Sequence, residues 1–237
     1  MGDTRDETAA PVRVLVADGH ELVRAGLAAL IRTDPGLCVV AEAGDGLDMV
    51  TRAARCRPDV ILAELRLPGI DGTEACARVL AAAPEGTAPR VLTITDRATD
   101  EEIHAALCAG AAGFLFKDAR PRRLLAALHT VAGGDCLLAP AVTRRLLRAQ
   151  ARSGTTAGAP APDLDRLTPR ELEVLRLVAT GALNGQIAAL LTVTEATVKS
   201  HISRAMTKLG LYSRAQAVVL AYESGLVVPR RPAAQET

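Results

Sequence analysis

The sequence predicts a doubly wound α/β domain on a five-stranded parallel sheet, followed by a small all-α domain of four helices. Short apolar runs alternate with helical patterns over roughly the first half of the chain, which is typical of a parallel sheet covered by helices on both faces. The chain has 237 residues and 49% hydrophobic content, enough to bury two cores. A segment rich in Gly, Pro, Ala and Thr, residues 152–162, separates the two patterns and cannot form a core.

The elements of the first domain follow in regular order. The predicted strands are residues 12–17, 38–43, 60–65, 91–95 and 113–116, and the predicted helices are residues 21–32, 47–55, 73–82, 101–109 and 122–132. The strands are apolar without alternation, as expected for strands that are buried on both faces. We expect residues 12–134 to form this domain.

Polar residues stand where the predicted strands end. They are Asp18, Glu64, Thr95 and Lys117. In an open parallel sheet, ligand chemistry is located at the carboxyl ends of the strands. Taken singly, Asp18 is an ordinary cap and Lys117 an ordinary solvated charge, but their joint placement favours descent from a phosphate-binding site.

This pattern, together with LPGIDG at residues 67–72 and AGAAGFLFKD at residues 109–118, resembles the flavodoxin-like receiver domain of response regulators. The resemblance implies an acidic pair that holds magnesium and an aspartate that accepts a phosphoryl group. It also implies a hydroxyl and a lysine that grip the phosphate, and an aromatic residue that rotates on activation. Thr95, Lys117 and Phe114 match the last three positions.

Two positions depart from the receiver pattern. The acidic pair reads Asp18-Gly19, and Glu64 stands at the acceptor position. A lost magnesium ligand and a carboxylate moved outward by about 1.5 Å should each slow phosphoryl transfer greatly, because misplacement by about 1 Å can cost ~100-fold. We therefore expect a degenerate phosphorylation site, doubtful magnesium binding and no other cofactor.

Three interpretations of Glu64 remain open. In the first, Glu64 holds the domain in an active-like form. In the second, a small-molecule ligand or a partner such as a sensor kinase controls the domain. In the third interpretation the chain is a conventional two-component response regulator that retains residual phosphorylation, or Glu64 is drift without consequence.

Residues 194–209 predict a helix with one apolar and one basic face. Val198, Ile202, Ala205 and Leu209 lie on one side, and Lys199, Ser200, Ser203, Arg204 and Thr207 lie on the other. The short apolar segment 183–191 and the turn Thr192-Val193-Thr194 precede it, which together predict a helix-turn-helix. Capping boxes at Thr168 and Ser213 open the flanking helices.

Residues 167–228 resemble the LuxR-type four-helix DNA-binding domain of NarL/FixJ response regulators. The resemblance implies groove contacts from Lys199, Ser200 and Ser203 and phosphate contacts from Thr194, Thr197, Arg204 and Lys208. It also implies a dimerisation helix, with Val218, Val219 and Tyr222 as candidates. We expect this domain to span residues 164–228, with a connecting basic helix and linker over residues 135–163 and disordered ends at residues 1–11 and 229–237.

Composition narrows the function class. A net charge of +1 gives no global attraction to nucleic acid, and 2% aromatic content argues against binders of single strands, which use aromatic platforms. The five cysteines and four histidines have no metal-ligand spacing in sequence, and no leader or membrane-spanning run is present, so we expect a cytoplasmic protein without a metal.

The expected function is sequence-specific regulation of transcription by a homodimer on double-stranded promoter DNA. Two alternatives belong to other classes. One is a phosphotransferase or phosphatase using Glu64 and Lys117, which lacks a Gly-rich phosphate loop and a complete acidic pair. The other is an interaction protein whose helix-turn-helix no longer binds DNA.

Overall fold

The computed structural model describes residues 10–84, 87–135, 137–138 and 164–227. Of the predicted connecting helix and linker over residues 135–163, only residues 135 and 137–138 are described. The first nine residues and the tail from residue 228 also lie outside the described residues.

The first part of the chain alternates strand and helix as the sequence predicts. The strands are β1 (Val12–Ala17), β2 (Leu37–Ala43), β3 (Val60–Glu64), β4 (Arg90–Thr95), β5 (Gly113–Phe116) and the short β6 (Leu137–Leu138). The helices are α1 (Glu21–Ile31), α2 (Gly46–Cys56), α3 (Gly72–Ala82), α4 (Asp100–Cys108) and α5 (Pro121–Ala132). Predicted and observed bounds agree to within about one residue, the usual uncertainty at element ends.

The strands form one sheet in the order β2-β1-β3-β4-β5-β6. β1 pairs in parallel with β2 and β3, β3 with β4, and β5 with β6. The predicted doubly wound parallel sheet of five strands is confirmed, and β6 is an edge strand that the sequence did not predict. Strand order reverses on either side of β1, so the carboxyl ends of β1 and β3 border the crevice where such sheets bind ligands.

The inner strands β1, β3 and β4 have both faces covered, which explains their lack of alternation. On one face, Leu15 of β1 and Ile61 of β3 pack against Met49 of α2 and Leu80 of α3, in a core whose members are at most a few per cent exposed. Neighbouring residues of the same strands, such as Val14 and Leu62, are fully buried as well. The ends of β1 and β3 are thereby held in a rigid layer.

The connection from β3 to α3 folds back tightly on the strand end. The Gly72 amide donates to the carbonyl oxygen of Leu65 over 2.8 Å, and Asp71 caps α3 by accepting from the Glu74 amide. A Cβ at position 72 would lie 2.1 Å from the carbonyl oxygen of Glu64, so only glycine permits this approach. The close contact positions the backbone on both sides of Glu64.

The C-terminal part is helical throughout its regular elements. A 3-10 turn (Leu164–Arg166) precedes α6 (Pro169–Ala179), α7 (Asn184–Leu191), α8 (Glu195–Leu209) and α9 (Arg214–Glu223). The predicted capping boxes at Thr168 and Ser213 are confirmed, and Thr194 caps α8 by accepting from the Thr197 amide. Thr192 joins α7 to α8 in the left-handed region at φ 56°, an uncommon conformation for a β-branched residue.

Two small clusters form the helical core. Val174, Val178, Ile187 and Val198 pack together from three helices, and Leu175, Ala205 and Ala217 form the second cluster. α8 therefore buries the apolar side that its sequence predicts, and its opposite side remains available.

The chain divides into two compact units, and each unit contains more than one stretch of the sequence. In the part of the chain that the structure describes, one unit contains residues 10–84, 87–96 and 115–134, and the other contains residues 97–114, 135, 137–138 and 164–227. α4 therefore groups with the C-terminal helices.

Candidate functional site

The polar residues at the strand ends converge as predicted. Asp18 follows β1 and is fully buried, and Glu64 ends β3 at 4% exposure. The ammonium nitrogen Nζ of Lys117, just after β5, lies 2.6 Å from Asp18 Oδ2 and 2.5 Å from Glu64 Oε2. Lys117 thus bridges two carboxylates that are almost completely buried.

Backbone amides hold the other oxygens of both carboxylates. The His20 amide donates to Asp18 Oδ1 over 2.8 Å, and the Arg66 amide donates to Glu64 Oε1 over 3.2 Å. The oxygens that face Lys117 have close ion-pair contacts to Nζ but no well-oriented hydrogen bond among the described residues. Burial disfavours the charged amine, yet the attraction of Asp18 and Glu64 outweighs it and raises the pKa of Lys117.

The space beside Gly19 is occupied by a proline ring. A Cβ at position 19 would lie 2.9 Å from Pro68 Cδ and 3.1 Å from Pro68 Cγ, closer than ordinary carbon contacts. An aspartate there would require the loop that carries Pro68 to shift. The sequence revealed the missing carboxylate at this position but not the ring that covers it.

Thr95 and Phe114, the other two predicted positions, are fully buried on neighbouring strands. The carbonyl oxygen of Thr95 accepts from the Lys117 amide over 2.8 Å, which ties the end of β4 to the residue that carries the bridging ammonium. Thr95 therefore stands at the same edge as the two carboxylates. Phe114 occupies the interior of β5.

The basic side of α8 is exposed. Lys199, Ser200, Ser203 and Arg204 are all exposed, whereas Val198 and Ala205 on the other side are buried. Thr194 is exposed and Thr197 half-buried at the helix start, with their hydroxyl oxygens 2.9 Å apart. The division of α8 that the sequence predicts is confirmed, while the individual DNA contacts remain predictions.

Lys208 differs from the other predicted contact residues because it has a partner within its own domain. Its Nζ lies 2.7 Å from Glu171 Oε2, and Glu171 also accepts from the Thr168 amide as part of the capping box. The hydrogen bond from Lys208 is the largest cause that lowers the pKa of Glu171 to about 2. The ammonium has three donors, so a phosphate contact from Lys208 would have to be shared with Glu171.

The dimerisation role of Val218, Val219 and Tyr222 stays a prediction, and the structure shows that these side chains also have contacts within their own domain. Val218 is buried in the helical core with Val174 and Val178, and the Tyr222 hydroxyl donates to the carbonyl oxygen of Ala179 over 3.1 Å. Val219 is buried as well. Val218 and Tyr222 stabilise their own domain, because a helix in so small a domain needs most of its apolar side chains for the core.

A buried arginine was not recognised from the sequence. Arg214 donates to the side-chain oxygen of Asn184 and to the carbonyl oxygen of Ala182, both over 2.5 Å. These bonds join the start of α9 to the start of α7. They secure the start of a helix whose N-cap residue, Leu183, supplies no side-chain cap. An arginine at the first position of a helix carries no signal of burial, so only the structure reveals this role.

A groove of about 270 Å³ runs between α1 and α5 and reaches Lys117. Its walls are apolar and include Val23, Leu27, Phe116 and Leu124. The groove therefore approaches the bridged carboxylates from the α1 side of the sheet.

Comparison with known proteins gives consistent matches across the chain. Residues 14–129 match the family described as response regulator receiver domain, and residues 165–221 match bacterial regulatory proteins, luxR family. The nitrate/nitrite response regulator protein NarL of Escherichia coli (strain K12) is 36% identical over 90% of this chain and 96% of its own length.

Two further proteins are similar over nearly the whole chain. The DNA-binding transcriptional activator DevR/DosR of Mycobacterium tuberculosis is 37% identical over 90% of this chain and 94% of its own length. The solved structure of the Salmonella typhimurium RcsB response regulator, at 25% identity, covers 92% of this chain and 100% of that one with a TM-score of 0.54. Within the described residues, none of the helices has the length and apolar character needed to cross a membrane.

Proposed function

Since this chain belongs to the LuxR-type response regulators, which are DNA-binding transcription regulators, we propose that it binds promoter DNA as a homodimer and is controlled without phosphoryl transfer. The observation that carries the control proposal is the bridge from Lys117 to Asp18 and Glu64. We assign the protein no catalytic role, and its site of action is the cytoplasm.

The reading surface is the exposed side of α8. Lys199, Ser200 and Ser203 have side chains short enough, or flexible enough, for the helix to enter the major groove. Arg204, Thr194 and Thr197 flank them and reach phosphates, which fix the helix on the duplex. Because one helix reads only a few base pairs, two copies on a two-fold site supply the needed specificity.

The strand-end site does not fit magnesium. Magnesium needs near-ideal octahedral oxygen geometry, but position 19 supplies no carboxylate and the Pro68 ring covers it. Both remaining carboxylates are already neutralised in part by Lys117. A phosphoryl group on Glu64 would have to displace this ion pair without the charge neutralisation that a metal supplies.

The same bridge supports a fixed, active-like state. A carboxylate at Glu64 reaches Lys117 without modification, as a phosphoryl oxygen would in a conventional receiver. The ion pair is nearly dry, so salt and solvent screen it little. Control by a small apolar ligand is the second candidate, because the groove between α1 and α5 is lined in part by Lys117.

Phosphorylation is tested by incubating the full-length protein with acetyl phosphate and magnesium and measuring its intact mass. We expect no stable gain of a phosphoryl group on the wild type or on Glu64→Ala. A gain on the wild type that Glu64→Ala lacks overturns the control proposal.

DNA binding is tested on fragments selected from genomic DNA with the untreated wild-type protein. We expect Lys199→Ala to weaken binding about 5- to 150-fold and to alter the selected sequence, because a bidentate base contact is worth about 1–3 kcal/mol. Arg176→Ala, an exposed basic position on α6, is the matched control and should bind like the wild type. Equal binding by Lys199→Ala and Arg176→Ala contradicts the assigned reading surface.

A further inference from the structure

α4 and α9 belong to the same compact unit and run side by side in opposite directions. At one end, the Gln216 side chain donates to the carbonyl oxygen of Cys108 over 2.6 Å. At the other end, His104 Nε2 lies 2.9 Å from Glu223 Oε1. Two ordinary polar contacts therefore hold the pair in register.

Three metal-ligating side chains meet at this helix pair. His104 and Cys108 are one turn apart on α4 and so share a face. Cys108 Sγ lies 3.7 Å from both ring nitrogens of His104. With Glu223 Oε1, the three possible ligand atoms all lie within 4.8 Å of one another.

The distance between Cys108 Sγ and the His104 ring nitrogens is close to that of a tetrahedral zinc site. Zinc bonds of about 2.0–2.1 Å to nitrogen and about 2.3 Å to sulfur place the two ligand atoms about 3.6 Å apart at the tetrahedral angle. The observed separation of 3.7 Å needs little change. A nitrogen and a carboxylate oxygen on zinc would be about 3.4 Å apart, so His104 and Glu223 must separate by about 0.5 Å. The half-exposed side chain of Glu223 can make this movement by rotation.

We propose that His104, Cys108 and Glu223 form a binding site for a zinc-like, thiol-seeking divalent cation that joins α4 to the end of α9. Imidazole and thiolate together select this class of metal over magnesium or calcium. Binding replaces the thiol proton of Cys108, and the charge of +2 balances thiolate and carboxylate. A water molecule completes the fourth position, which leaves the ion exchangeable.

The local charge also favours a cation. Asp100, Glu101 and Glu102 occupy the first turn of α4, one turn before His104. His104 and Glu223 are separated by 119 positions in the sequence, so the spacing of histidines and cysteines did not indicate the site. A bound ion would therefore connect segments that local sequence does not connect.

Cobalt serves as the optical probe, because Co²⁺ adopts zinc sites and its bond to a thiolate absorbs in the near ultraviolet. The reduced full-length protein is titrated with Co²⁺ and the bound metal is then displaced with Zn²⁺. We expect one equivalent of Co²⁺ with thiolate absorption, loss of that absorption in Cys108→Ser, and at least tenfold weaker binding in His104→Ala and Glu223→Gln. Cys38→Ser, an exposed cysteine outside the cluster, is the matched control and should bind like the wild type.

Two kinds of result would contradict the proposed metal site. Absence of thiolate absorption in the wild type, or its persistence in Cys108→Ser, overturns the proposal. Unchanged affinity in Glu223→Gln shows that the metal does not join the two helices and likewise overturns it. Far-ultraviolet circular dichroism of each variant confirms that loss of binding is not loss of fold, and His104→Gln provides a second substitution of similar size.

Discussion

Replacing Lys117 with methionine should destabilise the first unit far more than replacing Glu64 with glutamine. Lys117→Met keeps the length of the side chain but leaves Asp18 and Glu64 as two buried carboxylates without a cation. Glu64→Gln instead leaves Asp18 and Lys117 as a balanced pair. The two variants therefore separate loss of a charge partner from loss of a side chain.

The size of the effect follows from burial. Asp18 is fully buried, the Glu64 side chain is 5% exposed and the Lys117 side chain is 18% exposed, so solvent screening is weak. Removing one partner of a buried ion pair typically costs about 3–5 kcal/mol, because it leaves an uncompensated charge. Glu64→Gln should cost at most about 1 kcal/mol, since the amide keeps a hydrogen-bonding oxygen and the net charge of the cluster falls to zero.

Hydrogen–deuterium exchange of peptides that cover β1 and β3 measures the effect in this unit alone. Both tyrosines, Tyr212 and Tyr222, lie in the C-terminal unit, so intrinsic fluorescence would report that unit and not the first. A loss of about 3–5 kcal/mol corresponds to exchange faster by two to more than three orders of magnitude in Lys117→Met, and at most about fivefold in Glu64→Gln. Equal exchange in the two variants would refute the bridged arrangement, and α8 peptides serve as the internal control.

Three further predictions concern Glu171, Thr192 and the strand-end site. Because the pKa of Glu171 is lowered to about 2, its contribution to stability is complete above its ordinary pKa of 4.5 and is lost as pH falls towards about 2. Unfolding followed by tyrosine fluorescence should therefore show a loss of stability at low pH in the wild type that Glu171→Gln lacks. Thr192→Asn should raise the unfolding free energy of the helices by about 0.5–1 kcal/mol in urea titrations, since asparagine tolerates the left-handed region better than threonine, and a decrease would contradict the strain. The double variant Gly19→Asp/Glu64→Asp should be phosphorylated only weakly by acetyl phosphate, and adding Pro68→Ala should increase its phosphorylation. Equal phosphorylation with and without Pro68→Ala would argue against steric exclusion by the Pro68 ring.

The sequence predicted every α-helix and strand of the described fold except the two-residue strand β6, because each of the other elements carries its own local signal. Doubly buried strands such as β3 lack alternation, and caps such as Thr168 mark helix starts. The convergence of Asp18, Glu64 and Lys117 was predictable for a similar reason. Parallel strands end at one edge, so residues that follow them must meet there.

Interactions between distant segments were not predictable in the same way. A helical wheel identifies the exposed side of α8, but it does not show that Lys208 reaches back to Glu171 at the start of α6. The wheel of α9 likewise marks Val218 as apolar without distinguishing a core position from an interface position. Such distinctions depend on tertiary packing, which leaves no trace in the local pattern.

The two departures at the strand ends are better understood together than as separate losses. With an aspartate at position 19, three carboxylates would surround one ammonium, and the excess negative charge would require a metal ion. With Gly19, Lys117 faces only Asp18 and Glu64, and the excess falls from two charges to one. The Pro68 ring then fills the space that the missing side chain would need. If the site is adapted to the absence of magnesium, Gly19→Asp alone should lower its stability, because the new side chain crowds the Pro68 ring and adds an unpaired charge. If the site has only drifted, magnesium should instead stabilise the Gly19→Asp variant.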